Sequence, residues 1–248
     1  MEFEIKINGN PLTELVPIEP AKVAIIFYHG FSSSKERTLF RARILCNLGY
    51  YVLLPEAIGH GLRRHEMEVD YSKPDRHFWD ILIKTITESP DLINYLCKKR
   101  GFKPNQIVFA GHSMGAMAAA GVFVKSPMGK LAMFNGGLDY CALADYYNRI
   151  FTKYDDKTRQ EIMDKIRYYS PKEFLSKLEN RDMLLIDGDK DVMVPTKYNE
   201  AVIKSLAPFF KDKSRLIYTV LHRTTHEMTI KSFEIFHNWL QEVMKDEQ

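Results

Sequence analysis

The hydrophobic positions of this chain form short continuous runs that alternate with longer amphipathic stretches. Continuous apolar runs are typical of buried parallel strands, and apolar residues three or four positions apart are typical of helices. Strands are predicted at residues 2–7, 12–16, 23–28, 50–54, 107–110, 130–134, 183–187 and 214–221. Helical patterns lie between most of them. This order predicts an α/β protein with a mostly parallel central sheet and helices on both faces.

Three helical stretches carry expectations about which residues are buried. Phe40, Ile44 and Leu48 recur four residues apart, which predicts that they share the apolar face of one helix. A second pattern runs from about residue 76 to residue 100, and Pro90 is expected to kink or split it. A final helix at about 229–244 is predicted to pack through Ile230, Phe233, Phe236, Trp239 and Leu240.

Residues 138–180 break the alternation of strand and helix. The segment is rich in Tyr, Asp, Lys and Arg and contains two or three short helical patterns. We predict a small helical cap, inserted into a single domain of residues 1–248, over the sheet edge where ligands bind. Tyr146 and Tyr147 in this segment are candidate substrate-binding residues. Ordinary surface helices remain an alternative.

Composition and charge narrow the class of protein. The chain is 45% hydrophobic and 27% charged, which is typical of globular proteins. Its 35 basic and 32 acidic residues are spread along the sequence, so the charge pattern does not indicate a nucleic-acid partner. Cys46, Cys97 and Cys141 are far apart, which indicates free thiols in a reducing compartment. The start of the chain has no signal-peptide pattern, and no apolar run is long enough to span a bilayer. We expect a cytoplasmic protein without membrane contact.

The first chemical signal is the pentapeptide Gly111-His112-Ser113-Met114-Gly115. It follows a predicted strand and precedes a run of small residues, so its context is strand, sharp turn and helix. G-x-S-x-G at such a junction is the nucleophile elbow of α/β-hydrolases. Glycine at both ends lets strand and helix approach closely around an exposed serine. A glycine-rich turn without chemical function is the alternative.

A serine nucleophile needs a base to take its proton and a carboxylate to hold that base. In α/β-hydrolases these residues occur in the order Ser, Asp, His, each after a strand. Ser113, Asp191 and His226 satisfy that order. Asp189 is the rival acid and His222 the rival base, although His222 stands close to the end of its predicted strand.

An oxyanion hole is predicted from two backbone amides. His29-Gly30-Phe31 ends the predicted strand at 23–28, and in α/β-hydrolases this loop supplies one donor while the residue after the nucleophile supplies the other. We therefore assign the N–H groups of Phe31 and Met114. Phe31 is also a candidate for contact with the substrate.

The loop after residue 54 offers a possible metal site. Glu56, His60, His65 and Glu66 are metal-ligating residue types, but their spacing matches no known site. A solvated loop is expected instead, and we predict no metal and no cofactor.

Motifs spread over nearly the whole chain resemble those of one family. They are, in order, residues 26–31, the Pro-x-x-x-x-His-Gly loop that ends at Gly61, residues 78–82 and 113–117, the Gly188-x-x-Asp191-x-x-Val194-Pro195 motif, and His226. Together they resemble small bacterial esterases of the YjfP and YitV type, in the dienelactone-hydrolase and prolyl-oligopeptidase-like branch of the α/β-hydrolases.

The resemblance implies an α/β-hydrolase fold and a carboxylesterase that acts on short acyl esters through the triad Ser113, Asp191 and His226. Glu56 stands where such proteins often carry Asp, outside the triad. Residues 138–180 match poorly, so substrate choice is expected to depend on them. The expected partner is a small-molecule ester, and the sequence does not determine the oligomeric state.

Two other functions stay open at this stage. A peptidase or amidase could use the same triad, although it would need a stronger grip on the leaving amine and usually a second domain. A ligand-binding protein could keep the fold without the chemistry, because fold does not determine function. The intact Ser, Asp and His order argues against the second alternative.

Overall fold

A single sheet of eight strands runs through the computed structural model, which describes residues 1–245. The strands are β1 (Glu2–Ile7), β2 (Asn10–Leu15), β3 (Ala24–Tyr28), β4 (Tyr51–Pro55), β5 (Ile107–His112), β6 (Lys130–Phe134), β7 (Met183–Gly188) and β8 (Leu216–Leu221). Their spatial order is β1-β2-β4-β3-β5-β6-β7-β8. The pairs β1–β2 and β2–β4 are antiparallel, and the other neighbouring pairs are parallel. The predicted mostly parallel sheet is therefore confirmed.

Helices cover both faces of this sheet. They are α1 (Lys35–Asn47), α2 (Arg76–Lys99), α3 (Met114–Lys125), α4 (Tyr140–Tyr147), α5 (Asp156–Arg167), α6 (Lys197–Leu206) and α7 (Ile230–Val243). Short 3₁₀ segments at Gly61–Glu66, Pro104–Gln106, Pro171–Leu178, Ala207–Phe209 and Lys213–Arg215 and a π-helical turn at Asn148–Thr152 complete the helical structure of the described residues.

The pleat of the strands divides the core into two layers. In β5, Ile107 and Phe109 belong to the layer that packs against α2 and α3, whereas Val108 and Ala110 belong to the layer beneath α1 and α7. Successive side chains of a strand point to opposite faces, so a continuous apolar run is what a strand covered on both faces requires.

The predicted face of α1 is wrong. Phe40 is 72% exposed and Leu48 is 45% exposed, and the helix packs through a neighbouring stripe that includes Ala42 and Leu45. The same stripe contains the buried Lys35, whose Nζ donates to Glu4 of β1 and Thr13 of β2, and these bonds hold this face of α1 against the sheet. Ile230 at the start of α7 is likewise exposed, at 91%.

Pro90 does not split α2, which continues from Arg76 to Lys99. The preceding Ser89 is buried, and its hydroxyl donates to the carbonyl oxygen of Thr85 and accepts from the hydroxyl of Tyr28. These bonds attach this turn of the helix to β3. Buried packing on both sides of the proline therefore outweighs the loss of one backbone hydrogen bond.

The segment of residues 138–180 lies between β6 and β7 and contains α4, the π-helical turn, α5 and a 3₁₀ segment. It is anchored in the core by fully buried side chains, among them those of Tyr140, Leu143, Ile166 and Leu178. Its role as a cap remains a prediction. Within residues 1–245, no helix combines the length and apolar character needed to cross a membrane.

Candidate active site

The turn between β5 and α3 holds Ser113 in a strained conformation, with φ 57° and ψ −123°. A side chain at either flanking glycine would collide with backbone: a Cβ at Gly111 would lie 2.4 Å from the carbonyl carbon and oxygen of Gly115, and a Cβ at Gly115 would lie 2.1 Å from the carbonyl oxygen of Tyr28. The close approach predicted for the two glycines is thus present. Strain at a residue that projects from such a turn is common at functional sites.

Ser113, His226 and Asp191 form a continuous hydrogen-bonded chain. The Nε2 atom of His226 lies 2.7 Å from Oγ of Ser113, and its Nδ1 atom lies 2.7 Å from Oδ2 of Asp191. A carboxylate only accepts hydrogen bonds, so Nδ1 carries the proton and Nε2 is left to accept from the serine hydroxyl. This is the arrangement in which an imidazole can remove a proton from serine.

The sheet brings these three residues together. Ser113 follows β5, Asp191 follows β7 and His226 follows β8, and β5, β6, β7 and β8 are neighbours in that order. The loops after β7 and β8 pack tightly, because a Cβ at Gly188 would lie 2.3 Å from the carbonyl oxygen of Thr224. All three side chains therefore meet at the carboxyl edge of the sheet, where α/β proteins bind ligands.

Asp191 is held as a carboxylate by several donors. Its Oδ1 accepts from the backbone amides of Met193 (2.8 Å) and Val194 (2.9 Å), and its Oδ2 accepts from the side-chain amide of Asn135 (3.0 Å) as well as from His226. Burial alone would raise the pKa of Asp191, but these bonds outweigh it and lower the pKa below its usual value. The carboxylate stays ionised at neutral pH and can stabilise a charged His226.

Asn135 is a member of the site that sequence reasoning missed. It follows β6 with a positive φ of 51°, is 3% exposed, and donates to Asp191. The one signal in the sequence is its position directly after the predicted strand at 130–134, before Gly136-Gly137.

His112 packs against the imidazole of His226. Its ring centre lies 5.1 Å from that of His226, and its Nε2 atom is buried and has no hydrogen-bond partner among the described residues. Burial, together with the positive charge available to His226, lowers the pKa of His112 to about 3. His112 is therefore neutral and leaves His226 as the residue that can accept a proton here.

The two rival residues are separated from this chain of hydrogen bonds. His222 Nδ1 pairs with Asp189 Oδ2 at 2.8 Å, and the His222 side chain is 77% exposed. Asp187 lies on β7 with its Oδ2 atom accepting from Asn199 and Tyr218. Burial is the main cause that raises the pKa of Asp187 to about 7.

The segments that carry the two predicted oxyanion donors lie beside Ser113. A Cβ at Gly30 would lie 3.3 Å from the carbonyl oxygen of His112 and 3.4 Å from Cβ of Ser113, so the loop of residues 29–31 crosses close to the elbow. Met114 is the first residue of α3, where helix amides have no partner within the helix. The assignment of the Phe31 and Met114 amides as oxyanion donors remains a prediction.

A row of aromatic rings extends from the loop of residues 29–31 to α4. Phe31 contacts Phe78 with ring centres 5.4 Å apart, Phe78 contacts Tyr147 at 5.7 Å, and Tyr147 contacts Tyr146 at 5.9 Å. Tyr147 is only 3% exposed, whereas Tyr146 is half-buried and donates from its hydroxyl to the carbonyl oxygen of Val192, next to Asp191. Phe78, predicted only as a helix residue, belongs to this row.

The prediction of a solvated loop after β4 is wrong for two of its four polar residues. Glu56 and His60 are buried, at 2% and 1% exposure, while His65 and Glu66 are exposed. Burial is the main cause that lowers the pKa of His60 to about 4. Across residues 1–245, no group of His, Cys, Asp and Glu side chains is arranged to hold a metal ion.

The fold and the site together define a class of protein. The strand order, the elbow at Ser113 and the order Ser, Asp, His at neighbouring strand ends are those of the α/β-hydrolases. Residues 38–247 match the prolyl oligopeptidase family, and the chain belongs to that family.

Three known proteins illustrate the relationship. The chain is 26% identical to YitV of Bacillus subtilis (strain 168), named as an inferred esterase, over 94% of this chain and 97% of YitV. It is 26% identical to the esterase YjfP of Escherichia coli (strain K12), over 76% of each chain. The crystal structure of TT1662 from Thermus thermophilus superposes with a TM-score of 0.81 at 17% identity, covering 99% of this chain and 98% of that one. Family and relatives together support a hydrolase.

Proposed function

We propose that this protein is a serine carboxylesterase that hydrolyses short-chain acyl esters. The observation that carries the proposal is the unbroken hydrogen-bonded chain from Ser113 through His226 to the ionised Asp191. The esterase names of YitV and YjfP support the same reaction class.

In the proposed first half-reaction, the oxygen of Ser113 attacks the ester carbonyl carbon while Nε2 of His226 takes the hydroxyl proton. Asp191 stabilises the imidazolium that results. The backbone amides of Phe31 and Met114 donate to the oxyanion of the tetrahedral intermediate. When the intermediate collapses, His226 gives the proton to the leaving alkoxide, and an alcohol departs from the acyl-enzyme.

In the second half-reaction, water replaces the alcohol. His226 removes a proton from the water as its oxygen adds to the acyl carbon, and the same two amides again hold the oxyanion. Collapse of this intermediate breaks the bond to Ser113, whose oxygen recovers a proton from His226. The products are a carboxylic acid and the free enzyme, and no step requires a cofactor.

The preference for short acyl groups is proposed from the aromatic row. The rings of Phe31, Phe78 and Tyr147 pack edge to face in a row that starts at the loop of residues 29–31. Tyr146 closes the side towards Asp191 through its bond to Val192. We propose that residues 138–180 form the cap that selects among esters, and that Phe31, Tyr146 and Tyr147 contact the substrate.

A cytoplasmic location belongs to the same proposal. Cys46, Cys97 and Cys141 are unpaired thiols in the structure, which suits a reducing compartment. The proposed partner is a small ester, and neither nucleic acid nor a membrane is part of the proposal.

A peptidase or amidase is the second candidate, favoured by membership of the prolyl oligopeptidase family. Two assays separate the possibilities. A fluorophosphonate probe should label wild-type protein at Ser113, as read by mass spectrometry, and p-nitrophenyl esters from acetate to octanoate should be hydrolysed fastest at the short end. If a matched p-nitroanilide is cleaved as fast as its ester, the amidase is favoured. If the probe does not label Ser113 and no substrate is hydrolysed, the protein is a binding protein and not a hydrolase.

A further inference from the structure

A buried pair of side chains lies directly behind the proposed oxyanion loop. The Nε2 atom of His29 is 3.0 Å from Oε1 of Glu56, and the two side chains are 1% and 0% exposed. Glu56 is also held in place, because its Oε1 accepts from the amide of Lys35 at 3.2 Å and its Oε2 accepts from the amide of Leu62 at 3.4 Å. The carboxylate is thus a fixed point between β4 and the start of α1.

The imidazole of His29 lies between the Glu56 carboxylate and the peptide group that joins Gly30 to Phe31. Its Nδ1 atom lies 2.9 Å from the carbonyl oxygen of Gly30, and since a carbonyl only accepts, Nδ1 is the donor. Its Nε2 atom accepts from the backbone amide of Ala57 at 3.1 Å, so the Glu56 carboxylate beside it contacts the ring through its charge and not through a hydrogen bond. The ring is therefore restrained at both nitrogen atoms.

The carbonyl that His29 holds belongs to the same planar peptide as the amide of Phe31. In a trans peptide the C=O and the N–H point in opposite directions, so fixing the direction of the Gly30 oxygen also fixes the direction of the Phe31 hydrogen. Gly30 has no Cβ and tolerates many backbone conformations, so the peptide on its carboxyl side can rotate unless something holds it. The amide of Ser33 also donates to this oxygen, at 3.2 Å.

We propose that Glu56 is a positioning residue that acts through His29 to keep the Phe31 amide directed at the substrate oxyanion. The inference rests on the proposed esterase function. Glu56 does not touch the substrate in this account, and its effect is confined to the orientation of the Gly30–Phe31 peptide. An acidic side chain after β4, which the sequence pattern placed in a solvated loop, thereby gains a role in transition-state stabilisation.

Three variants separate this role from ordinary packing. Glu56→Gln removes the carboxylate charge. His29→Asn keeps an amide donor near the Nδ1 position, which faces the Gly30 carbonyl. His29→Gln keeps an amide group only near the Nε2 position, which faces Glu56. With p-nitrophenyl acetate, Glu56→Gln and His29→Gln should lower kcat by about tenfold or more with little change in KM, because a displaced oxyanion donor weakens the transition state selectively. His29→Asn should retain more kcat than His29→Gln.

The double variant tests whether Glu56 acts through His29. In the His29→Asn background, Glu56→Gln should cost much less kcat than it costs in the wild type, because the link is already broken. Binding of a short alkyl trifluoromethyl ketone, which forms an oxyanion on Ser113, should weaken in parallel with kcat. An equal loss in both backgrounds, or a wild-type kcat in Glu56→Gln, would overturn the proposal.

Glu14 provides a matched control. It is a second buried glutamate, 1% exposed, on β2, where it contacts Tyr51, Tyr95 and Arg100. Glu14→Gln should lower thermal stability while leaving kcat of the folded protein unchanged.

Crystal structures of wild type and Glu56→Gln supply a readout that does not depend on activity. The Gly30–Phe31 peptide should be rotated, or present in two orientations, in the variant only. An unchanged peptide would refute the positioning role even if no ester is a substrate. Absence of ester hydrolysis by the wild type would instead refute the proposed function alone.

Discussion

His222 and Asp189 pair with each other, 2.8 Å apart, rather than with Ser113. The pair lies beside the loop that carries His226, and Asp189 Oδ1 also accepts from the amide of Thr224 at 3.3 Å. Two acid–base pairs thus occur side by side at this edge of the sheet, one exposed and one connected to the nucleophile. The exposed pair links the loop after β7 to the loop that carries His226.

The two acids should differ sharply when each is made neutral. Asp191→Asn should lower turnover of a p-nitrophenyl ester by roughly 10³–10⁴-fold, because His226 loses the partner that sets its tautomer and stabilises its charge. Asp189→Asn should cost far less, since it affects only an exposed pair. Steady-state kinetics on both variants checks this, and a reversed order would mean that Asp189 is the functional acid.

Removal of the nucleophile should abolish chemistry and preserve the fold. Ser113→Ala should lower turnover by about 10⁴-fold or more, because the three residues of a triad act as a unit. The variant should also escape labelling by the fluorophosphonate probe, while its circular dichroism and melting temperature stay close to those of the wild type. A folded variant that keeps full activity would exclude Ser113 as the nucleophile.

The neighbouring tyrosines of α4 should respond differently to truncation. Tyr147 is 3% exposed and packs on Phe78, so Tyr147→Ala should destabilise the protein by about 3 kcal/mol or more, as loss of a large buried side chain does. Tyr146→Ala should change the ranking among esters of different chain length with a smaller loss of stability. Urea unfolding and an ester series measure the two effects, and an unchanged ranking for both variants would argue against substrate contact.

Asp187 should make stability depend on pH. Its pKa is about 7 in the folded protein and 3.8 ordinarily, so between about pH 4 and pH 7 the folded state binds a proton that the unfolded state releases. The free energy of unfolding should therefore fall as pH rises through that window. Asp187→Asn should remove most of this fall, measured by urea unfolding at pH 5 and pH 8. Asp156→Asn, whose side chain is 98% exposed, is the control and should leave the wild-type dependence intact.

The elements of the fold were readable from sequence because they depend on local pattern. Each predicted strand is present, with ends that differ by at most two residues, since an apolar run between turn residues identifies a buried strand whatever its neighbours. The face of α1 could not be predicted in the same way. Which stripe of a helix is buried depends on tertiary contacts, such as the bonds from Lys35 to Glu4 and Thr13, that the local hydrophobic pattern does not contain.

The site residues that a local motif or their order along the chain identifies could be predicted from the sequence. Those that depend on tertiary packing could not. Ser113 lies in a local motif, and the structure places it at hydrogen-bond distance from His226, which was named from its position in the chain. The choice between Asp191 and Asp189 depended on which carboxylate turns inward, a property of packed loops. The contribution of Asn135 and the burial of Glu56 had no pattern of their own, because a polar residue after a strand is most often solvated.

The chain of hydrogen bonds at Ser113 also has a consequence for how the protein folds. Ser113 and His226 are separated by 113 positions along the chain, and Asp191 and His226 by 35. Contacts of such long range form only after long loops have been closed at a cost in entropy, whereas helices form from local contacts. We therefore expect the site to be completed late in folding, when β8 docks on β7. During refolding from urea, ester hydrolysis should return after the helical circular dichroism signal, which makes turnover the stricter measure of a native molecule.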